Sequence, residues 1–360
     1  MVTKIIKVIL VIFIVLSPLF TDQENNMHTK GNTSYWHLGL DTNNKWWFIS
    51  PNNERTLLLS VQAVQPFQRA IRPPHFEAKN WPHQQLQQIK EFGFNSVGAW
   101  SHIDLEPHIP FAKDLNILKW EHDIKDIQWE SKVESKIKEL VTPYKDNKNL
   151  VGYYMDNEVW WYNYSNEEII KYWETVPRLI KKHDPNHLIL GVRFHIRPPY
   201  LLLIASRGKT DVHSYNRYED GTQMWYNNLN QTHQICNTPI IISEFSYYSH
   251  ENASGNGNMK AIGGRAHSQI ERAQMFKDFS QGAISQPFII GVDWFQWNDE
   301  PPTGRTADGE DCNYGIVDMN NNPYSYLVEE IKQFSAKMVE IHEGRPLSSF
   351  WKLDPEKNPH

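Results

Sequence analysis

The 360-residue sequence lacks the features of several large protein classes. It contains only two cysteines, Cys236 and Cys312, and no C-x-x-C or H-E-x-x-H motif, so it predicts no metal site. The net charge is −6 without a basic stripe, which predicts no nucleic-acid partner. No G-x-G-x-x-G follows a strand, which argues against a dinucleotide-binding fold, and we expect no cofactor. The two cysteines could pair in an oxidising compartment, but their wide spacing favours independent thiols.

Long apolar runs are also lacking, apart from one near the N-terminus. Two lysines precede the apolar residues 8–16, which are too few to span a bilayer comfortably, and Pro18 ends the run. We interpret residues 1–27 as a secretory signal peptide or, alternatively, as an uncleaved N-terminal anchor. Residues 28–360 are expected to form one catalytic domain, secreted or periplasmic, with no membrane contact beyond the N-terminal segment.

Eight short apolar or β-branched runs are present, most of them followed by a stretch of helical periodicity. Near-continuous apolar character is expected of parallel strands that are covered on both faces. The predicted strands are 57–61, 96–100, 109–115, 151–155, 188–194, 212–215, 240–245 and 289–295, and the predicted helices are 83–92, 130–140, 167–182, 266–281 and 325–341. This alternation predicts an α/β fold, a (β/α)8 TIM barrel, in a single domain.

Two carboxylates follow apolar strands, which is a costly position unless they are paired or functional. Glu158 follows the fourth predicted strand and Glu244 ends the apolar part of the seventh. Barrel enzymes keep their reactive groups at the C-terminal ends of strands, and strands four and seven lie across the barrel from each other. Two carboxyl groups about 5 Å apart hydrolyse glycosidic bonds with retention, one attacking and one protonating. Either glutamate alone could be a helix cap or an ion-pair residue; the pair favours catalysis.

Aromatic residues are abundant, with 14 Trp, 16 Tyr and 16 Phe. Several tryptophans lie beside polar residues at the ends of apolar runs, as at residues 160–161 and 294–297. Sugar rings present apolar faces and polar edges, so this pattern favours a carbohydrate site. Two long loops, 250–266 and 298–314, follow the last two strands and are expected to shape the cleft.

Several segments together resemble β-agarases of glycoside hydrolase family 50, in clan A of the glycoside hydrolases. They are KWWFISP at 45–51, VGYYMDNEVW at 151–160, ISEF at 242–245 and VDWFQWNDEPPTGR at 292–305, continued by residues 308–310 and 314–318. The resemblance implies a hydrolase of a β-linked galactan, with Glu158 as general acid/base and Glu244 as nucleophile. The partner would be an oligosaccharide or polysaccharide.

The resemblance also implies a set of substrate-binding residues. Asn157 would hold the sugar 2-hydroxyl, and a tyrosine of the sixth strand would hydrogen-bond the nucleophile. Here that tyrosine is Tyr215, with His213 as its neighbour, although His213 could equally be a core histidine. Independently of the resemblance, Trp160 and Trp161 come just after Glu158 in the sequence, and at least one of them is expected to line the cleft. The remaining candidates are Trp294 and Trp297 for stacking and Gln296 and Asp299 for polar contacts.

Other interpretations stay open. A glycosidase for a different β-linked glycan would carry the same residues, and a non-catalytic carbohydrate-binding barrel is a second possibility. A metal-dependent hydrolase would need H-x-H after the first strand, where residues 61–64 contain no histidine. Asp156 should point away from Asn157 and be structural. We expect an ion-pair network of Arg305, Asp308 and Glu310, whereas the strand-five residues Arg193 and His195 could reach the cleft or not.

Overall fold

The computed structural model describes residues 27–65, 80–218, 223–305 and 308–344, with the backbone alone for 223–225. Apart from Met27, the predicted targeting segment 1–27 lies outside these residues. Within the described ranges, no helix has the length and apolar character that crossing a membrane requires.

Eight parallel strands close into a barrel, which confirms the predicted fold. They follow the chain order around the barrel, and β8 pairs back to β1. The strands are β1 Leu58–Val61, β2 Ser96–Val97, β3 Phe111–Asp114, β4 Leu150–Asn157, β5 Leu188–Phe194, β6 His213–Asn216, β7 Ile240–Phe245 and β8 Ile289–Trp294. β2 is shorter than the predicted 96–100, and the backbone at Trp100, the last residue of the predicted run, has a φ of 60°.

Helices follow the strands on the outside of the barrel. They are α1 Trp81–Glu91, α2 Ile117–Trp120, α3 Trp129–Val141, α4 Asn166–His183, α5 Tyr200–Ser206, α6 Gln223–Cys236, α7 Gln269–Ile284 and α8 Ser325–Glu343. Short 3₁₀ turns lie at Ile103–Leu105, Thr142–Tyr144 and Trp161–Asn163. The sequence did not predict α2, α5 or α6. α6 contains three asparagines and a threonine among its 14 residues, and these residue types have weak helix propensity.

Two helix ends show how local sequence sets the boundaries. Gly93 takes a φ of 95° behind α1, and its N–H donates to the carbonyl of Lys90 at 3.0 Å. This is the glycine stop that the sequence predicts. At the start of α4, Ser165 and Glu168 form a reciprocal capping box. The cap fixes the start of α4 shortly after β4 and Glu158, which follows that strand.

Four antiparallel strands cover the amino end of the barrel, opposite the carboxyl ends of its strands. They are His28–Lys30, His37–Leu40, Trp46–Ile49 and Arg55–Thr56. The N–H of Trp46 donates to the carbonyl of Pro287, just ahead of β8, at 2.8 Å. The buried Trp47 ring meets His342 of α8 edge-on, with centroids 4.6 Å apart. This sheet therefore closes the base of the barrel and leaves the other end for the site.

The two long loops after β7 and β8 pack against each other. A short parallel pair, Tyr247–Ser249 with Gly264–Ala266, ties down both ends of the first loop. The hydroxyl of Tyr314 donates to the carbonyl of Ile262 at 2.8 Å, and Asn313 N–H donates to Asn258 Oδ1 at 2.9 Å. The loops therefore form one wall above the barrel.

Candidate active site

Backbone conformation marks the carboxyl end of the barrel. Nine non-glycine residues among those described have a positive φ, and six of them are asparagines, which tolerate this region. The other three are Ala63, Trp100 and Glu158, with φ of 51°, 60° and 51°. They follow β1, β2 and β4. Such conformations cost free energy and cluster at functional sites, so they favour this face as the site.

Glu244 lies on β7 with both carboxylate oxygens held. Arg193 donates to Oε1 at 2.5 Å, and the hydroxyl of Tyr218 donates to Oε2 at 2.5 Å. The residue is only 3% exposed. Burial raises the pKa of Glu244 to about 7; Arg193 opposes this rise, the charge of Glu158 adds to it, and Tyr218 opposes it. The carboxylate is therefore fixed in orientation beside the second glutamate.

Arg193 lies at the centre of the barrel end with its guanidinium completely buried. The same Nη2 that binds Glu244 also faces Gln62 Oε1 at 2.8 Å and the carbonyl of Ser243 at 3.0 Å, and Nη1 faces Asp114 at 3.3 Å. Burial lowers the pKa of Arg193, but the carboxylates of Glu244 and Asp114 outweigh it and leave the pKa raised. The guanidinium therefore stays charged.

The same arginine also contacts the second carboxylate residue through its backbone. Its carbonyl accepts the N–H of Glu158 at 3.0 Å, at the point where Glu158 takes its left-handed conformation. The indole of Trp100 lies over the guanidinium, 4.4 Å from ring centroid to Cζ. One residue of β5 thus touches both predicted catalytic glutamates.

Asn216, at the end of β6, connects Glu158 with Asn157. Its Nδ2 donates to Glu158 Oε1 at 2.8 Å and to Asn157 Oδ1 at 3.1 Å, and its Oδ1 accepts the hydroxyl of Ser243 at 2.9 Å. Both Asn157 and Glu158 remain half-buried. The hydrogen bonds orient these side chains while leaving part of each open to a ligand.

A cavity of about 550 Å³ opens beside Glu158, which falls in the range of small-ligand sites. Its barrel side is formed by Glu158, His195, Asn216, Arg217 and Tyr218, and its other side by residues 262–264 of the loop wall. Gly263 has a φ of 90°, and a Cβ there would lie 2.4 Å from the Tyr218 carbonyl. Glycine therefore lets the loop close against Tyr218, and the loop shapes the cavity as predicted.

The structure brings several predicted site residues together around this cavity. Asn157, Glu158 and Glu244 meet through Asn216 and Arg193. Their catalytic roles remain predictions. Trp160 is half-exposed and stacks on the cavity residue His195, with ring centroids 5.7 Å apart.

Gln296 follows β8 and is 3% exposed, with no described residue accepting from its Nε2. A buried amide donor without a partner is costly, so Gln296 remains a candidate for a polar contact with substrate.

Tyr215 and His213 are not in the cleft, contrary to expectation. The hydroxyl of Tyr215 hydrogen-bonds Thr232 of α6 at 2.7 Å. His213 lies between the hydroxyls of Ser206 and Thr238, at 2.9 and 2.7 Å, and burial lowers its pKa to about 3. Side chains alternate along a strand, so on β6 these two face the helices.

The tyrosine that binds Glu244 is instead Tyr218, beyond the end of β6. Burial and the charge of Glu244 raise the pKa of Tyr218, which keeps its hydroxyl protonated and able to donate.

Trp294 and Trp297 are also not available to a sugar, because both side chains are completely buried. The Trp294 indole donates to the carbonyl of Tyr314 at 2.8 Å, and Trp297 stacks on Phe92 behind α1 at 5.6 Å. The expectation of stacking at these positions is wrong. Both rings instead form packing between the barrel, the loop wall and the helices.

Asp299 is buried and serves the loop wall. Its carboxylate accepts the hydroxyls of Tyr324 at 2.6 Å and Ser254 at 2.7 Å and the N–H of Gly315 at 2.9 Å. Burial raises the pKa of Asp299 to about 6, against the opposing charge of Arg272. With its oxygens occupied in this way, Asp299 is a structural residue and not a substrate contact.

The structural roles predicted for other polar residues are confirmed. Asp156 accepts the hydroxyl of Tyr172 at 2.6 Å and the N–H of Leu118 at 2.8 Å, facing the helices. Arg305 pairs with Asp308 and Glu310, each at 2.7 Å.

Arg305 also pairs with Glu300 at 2.9 Å, and Glu300, Glu310 and Cys312 lie close together. Both cysteines are buried free thiols.

Three site residues were missed by the sequence reasoning. Asn216 is the last residue of β6, Tyr218 lies two residues beyond it, and Gln62 follows β1. Each is a polar residue at the carboxyl end of a barrel strand, and that position is the sequence signal that could have identified them. The sequence did not decide whether Arg193 and His195 reach the cleft. In the structure Arg193 binds the carboxylate of Glu244, and His195 lines the cavity.

The chain forms a closed (β/α)8 barrel with glutamates at the ends of strands four and seven, and an asparagine directly precedes the glutamate of strand four. This combination is typical of glycoside hydrolases. The chain is similar in sequence to β-agarase B and β-agarase A of Vibrio sp. (strain JT0107). It is 33% identical to each, over 170 and 172 residues, which are 46% and 47% of this chain. The matched segments are only 17% of the length of each relative.

Solved structures share the fold. An agarase, AgWH50C, matches with a TM-score of 0.74 at 19% identity, covering 88% of this chain and 65% of that chain. An exo-β-agarase matches with a TM-score of 0.72 at 17% identity, covering 88% and 67%. No family model matches the chain. The resemblance to family 50 β-agarases is thereby confirmed.

Proposed function

We propose that this protein is a retaining β-glycoside hydrolase that acts on an agar-like β-linked galactan. One observation carries the proposal: Glu244 is held at both oxygens by Arg193 and Tyr218, next to a cavity that Glu158 lines. One carboxylate is thus buried and oriented for attack, while the other is accessible for proton exchange. The similarity to β-agarases supports a β-linked galactan as substrate.

The geometry supports a double displacement. Glu244 attacks the anomeric carbon, the bond to the leaving oxygen breaks, and Glu158 gives its proton to that oxygen. Glu158 then takes a proton from water, which attacks the same carbon and releases Glu244 with the sugar in its original β configuration. Asn157, which Asn216 orients, would hold a sugar hydroxyl beside Glu158. This chemistry requires no metal or cofactor.

The proposal includes export. A polysaccharide is too large to enter a cell unaided, and the N-terminal residues 1–27 have the character of a signal peptide or anchor. A secreted, periplasmic or anchored enzyme would meet such a substrate outside the cytoplasm.

The test uses purified protein, agarose oligosaccharides and other β-linked glycans, with the product anomer followed by NMR. We expect initial release of the β-anomer from the galactan. Glu244→Ala should be inactive on natural substrate but regain activity with azide, giving a product of inverted configuration. If the folded protein hydrolyses none of these glycans, a non-catalytic carbohydrate-binding barrel is favoured instead.

Glu158→Gln separates the acid role from general damage to the site. The variant should keep more activity on a nitrophenyl glycoside than on the galactan, because a good leaving group needs little protonation. Equal losses on both substrates would contradict the assignment of Glu158 as acid/base.

A further inference from the structure

Two neighbouring aromatic side chains are exposed on the turn that follows Glu158. Trp160 is 52% exposed and Tyr162 is 63% exposed, with ring centroids 5.8 Å apart. Folding normally buries such large apolar surfaces, and clustered exposed ones mark binding sites. We call Trp160 and Tyr162 the aromatic platform.

The platform is held outward by the residue between its members. Trp161 is buried and packs edge-on against Tyr172 of α4, with centroids 5.0 Å apart. The Asn163 N–H donates to the Trp160 carbonyl at 3.0 Å and closes the turn. Because the turn is anchored, the platform is preorganised, and a ligand would lose little conformational freedom in ordering it.

The platform continues the cavity wall on one particular side. Trp160 stacks on His195 with an interplanar angle of 29°, and His195 lines the cavity together with Glu158. A chain that leaves the cavity past Glu158 therefore meets His195 and then Trp160. Glu244 approaches the cavity from the opposite strand, β7, away from this turn.

Reaction chemistry decides what lies on the side of Glu158. The acid gives its proton to the leaving oxygen, so the sugar that departs is bound beside it. We propose that Trp160 and Tyr162 bind the leaving-group part of a β-linked galactan chain by stacking on its sugar rings. This inference rests on the proposed function, and it adds a binding site for the departing chain.

The chemistry of the platform fits an uncharged sugar. In β-galactose the axial 4-hydroxyl leaves one ring face apolar, which suits an indole or phenol face. Neither platform side chain carries a charge, so the surface offers stacking without selecting an anionic group.

The experiment compares two substrates with the same sugar on the attacked side. One is neoagarohexaose, and the other is the β-fluoride of neoagarobiose, whose leaving fluoride is too small to reach the platform. In Trp160→Ala the ratio of kcat/KM for the oligosaccharide to that for the fluoride should fall about tenfold, as expected for loss of one stacked ring. The double variant with Tyr162→Ala should lower the ratio further.

Trp120→Ala is the matched control. Trp120 is 50% exposed on α2, outside the described cavity lining, and should leave the ratio unchanged. Melting temperatures of all variants report folding separately. The proposal would be overturned if the ratio of the two kcat/KM values is unchanged in Trp160→Ala, whether both values stay at the wild-type level or both fall equally.

Failure of the proposed function is distinguishable. If wild-type protein hydrolyses neither substrate, calorimetric titration with neoagarohexaose tests the platform alone. Binding that is about tenfold weaker in Trp160→Ala than in Trp120→Ala would support a sugar site on a non-hydrolytic protein. Equal binding by the two variants, or none by wild type, would overturn the platform as well.

Discussion

Glu244 is surrounded by groups that move its pKa in opposite directions. Burial raises it, Arg193 lowers it, the carboxylates of Glu158 and Asp114 raise it, and Tyr218 lowers it. The result of about 7 means that the free protein holds a partly protonated carboxyl near neutral pH. Tyr154 of β4 and Asp293 of β8 also interact with Arg193 and raise its pKa.

The first prediction concerns Arg193→Met. A nucleophile must be ionised, so kcat/KM of the wild type should fall as the pH drops below about 7. Removing the guanidinium takes away the group that lowers the pKa of Glu244, so this acid limb should move to higher pH by about 1–3 units. The measurement is kcat/KM against pH.

Arg272→Met is the control for losing a buried arginine. Arg272 is fully buried and donates to the carbonyls of Tyr247 and Gly315 at 2.8 and 2.9 Å, behind the site. It should lower the melting temperature without moving the acid limb. Arg193→Lys, which keeps the charge, should shift the limb less than Arg193→Met. A lower rate with no shift in Arg193→Met would leave Arg193 as a packing residue only.

At the scale of elements, β6 shows how alternation divides a strand. Ser214 and Asn216 face the barrel interior, while His213 and Tyr215 face α6 and its neighbours. The chain then leaves the strand and brings Tyr218 back to Glu244. Two tyrosines three positions apart thus serve a structural helix contact and the candidate site.

This division predicts different outcomes for two matched substitutions. Tyr218→Phe removes a hydrogen bond to a carboxylate and should lower kcat about 10- to 100-fold. Tyr215→Phe loses its bond to Thr232 and should cost about 1 kcal/mol of unfolding free energy while leaving kcat near wild type. Rates and melting temperatures measured on both variants check this. A larger catalytic loss in Tyr215→Phe would reverse the assignment.

Elements differed in how far the sequence determined them. β5 and β7 have the predicted bounds because each begins with a compact apolar run, at 188–190 and 240–242, that marks the strand in the sequence. The face of each residue on β6 was misjudged, because a four-residue strand of mixed polarity gives no hydrophobic alternation to fix it. Glu158 and Glu244 could be found since each is a charge after an apolar strand, whereas Trp294 and Trp297 look the same in sequence whether buried or exposed.

For the whole molecule, several buried carboxyl groups have pKa values raised by burial. They include Asp293 and Asp299, whose pKa values are raised to about 6, and Glu244, whose pKa is raised to about 7. The pKa of Glu310 is raised too, by burial and by the charge of Glu300. The native protein holds these protons at pH values where the unfolded chain has released them. Stability should therefore fall as pH rises from about 5 towards 8. Buried His213, with a pKa of about 3, acts oppositely, since the unfolded chain gains its proton below about 6.5.

Glu310→Gln tests this pH dependence. Burial and then the charge of Glu300 raise the pKa of Glu310, while Arg305 opposes them. The variant keeps a hydrogen-bond acceptor, and Arg305 retains Glu300 and Asp308. Between pH 5 and 8.5, it should lose less stability than wild type, by about 1–2 kcal/mol in unfolding free energy.

The control for this measurement is Glu340→Gln. Glu340 is a surface residue of α8 whose side chain is 39% exposed. Denaturant unfolding at pH 5 and pH 8.5 should show the same change in unfolding free energy for this control as for the wild type. If Glu310→Gln also shows the wild-type change in unfolding free energy between these pH values, the ionisation of Glu310 is not coupled to folding.

The mutual packing of the two long loops has a consequence for how this barrel can diversify. Tyr314 bonds the carbonyl of Ile262, and Asn313 bonds Asn258, so each loop supplies partners that the other needs. A recombination breakpoint between them would pair loops that had never been selected together. Chimeras that exchange both loops as a single cassette should fold more often than those that exchange one, and new specificities would then be inherited as a linked block.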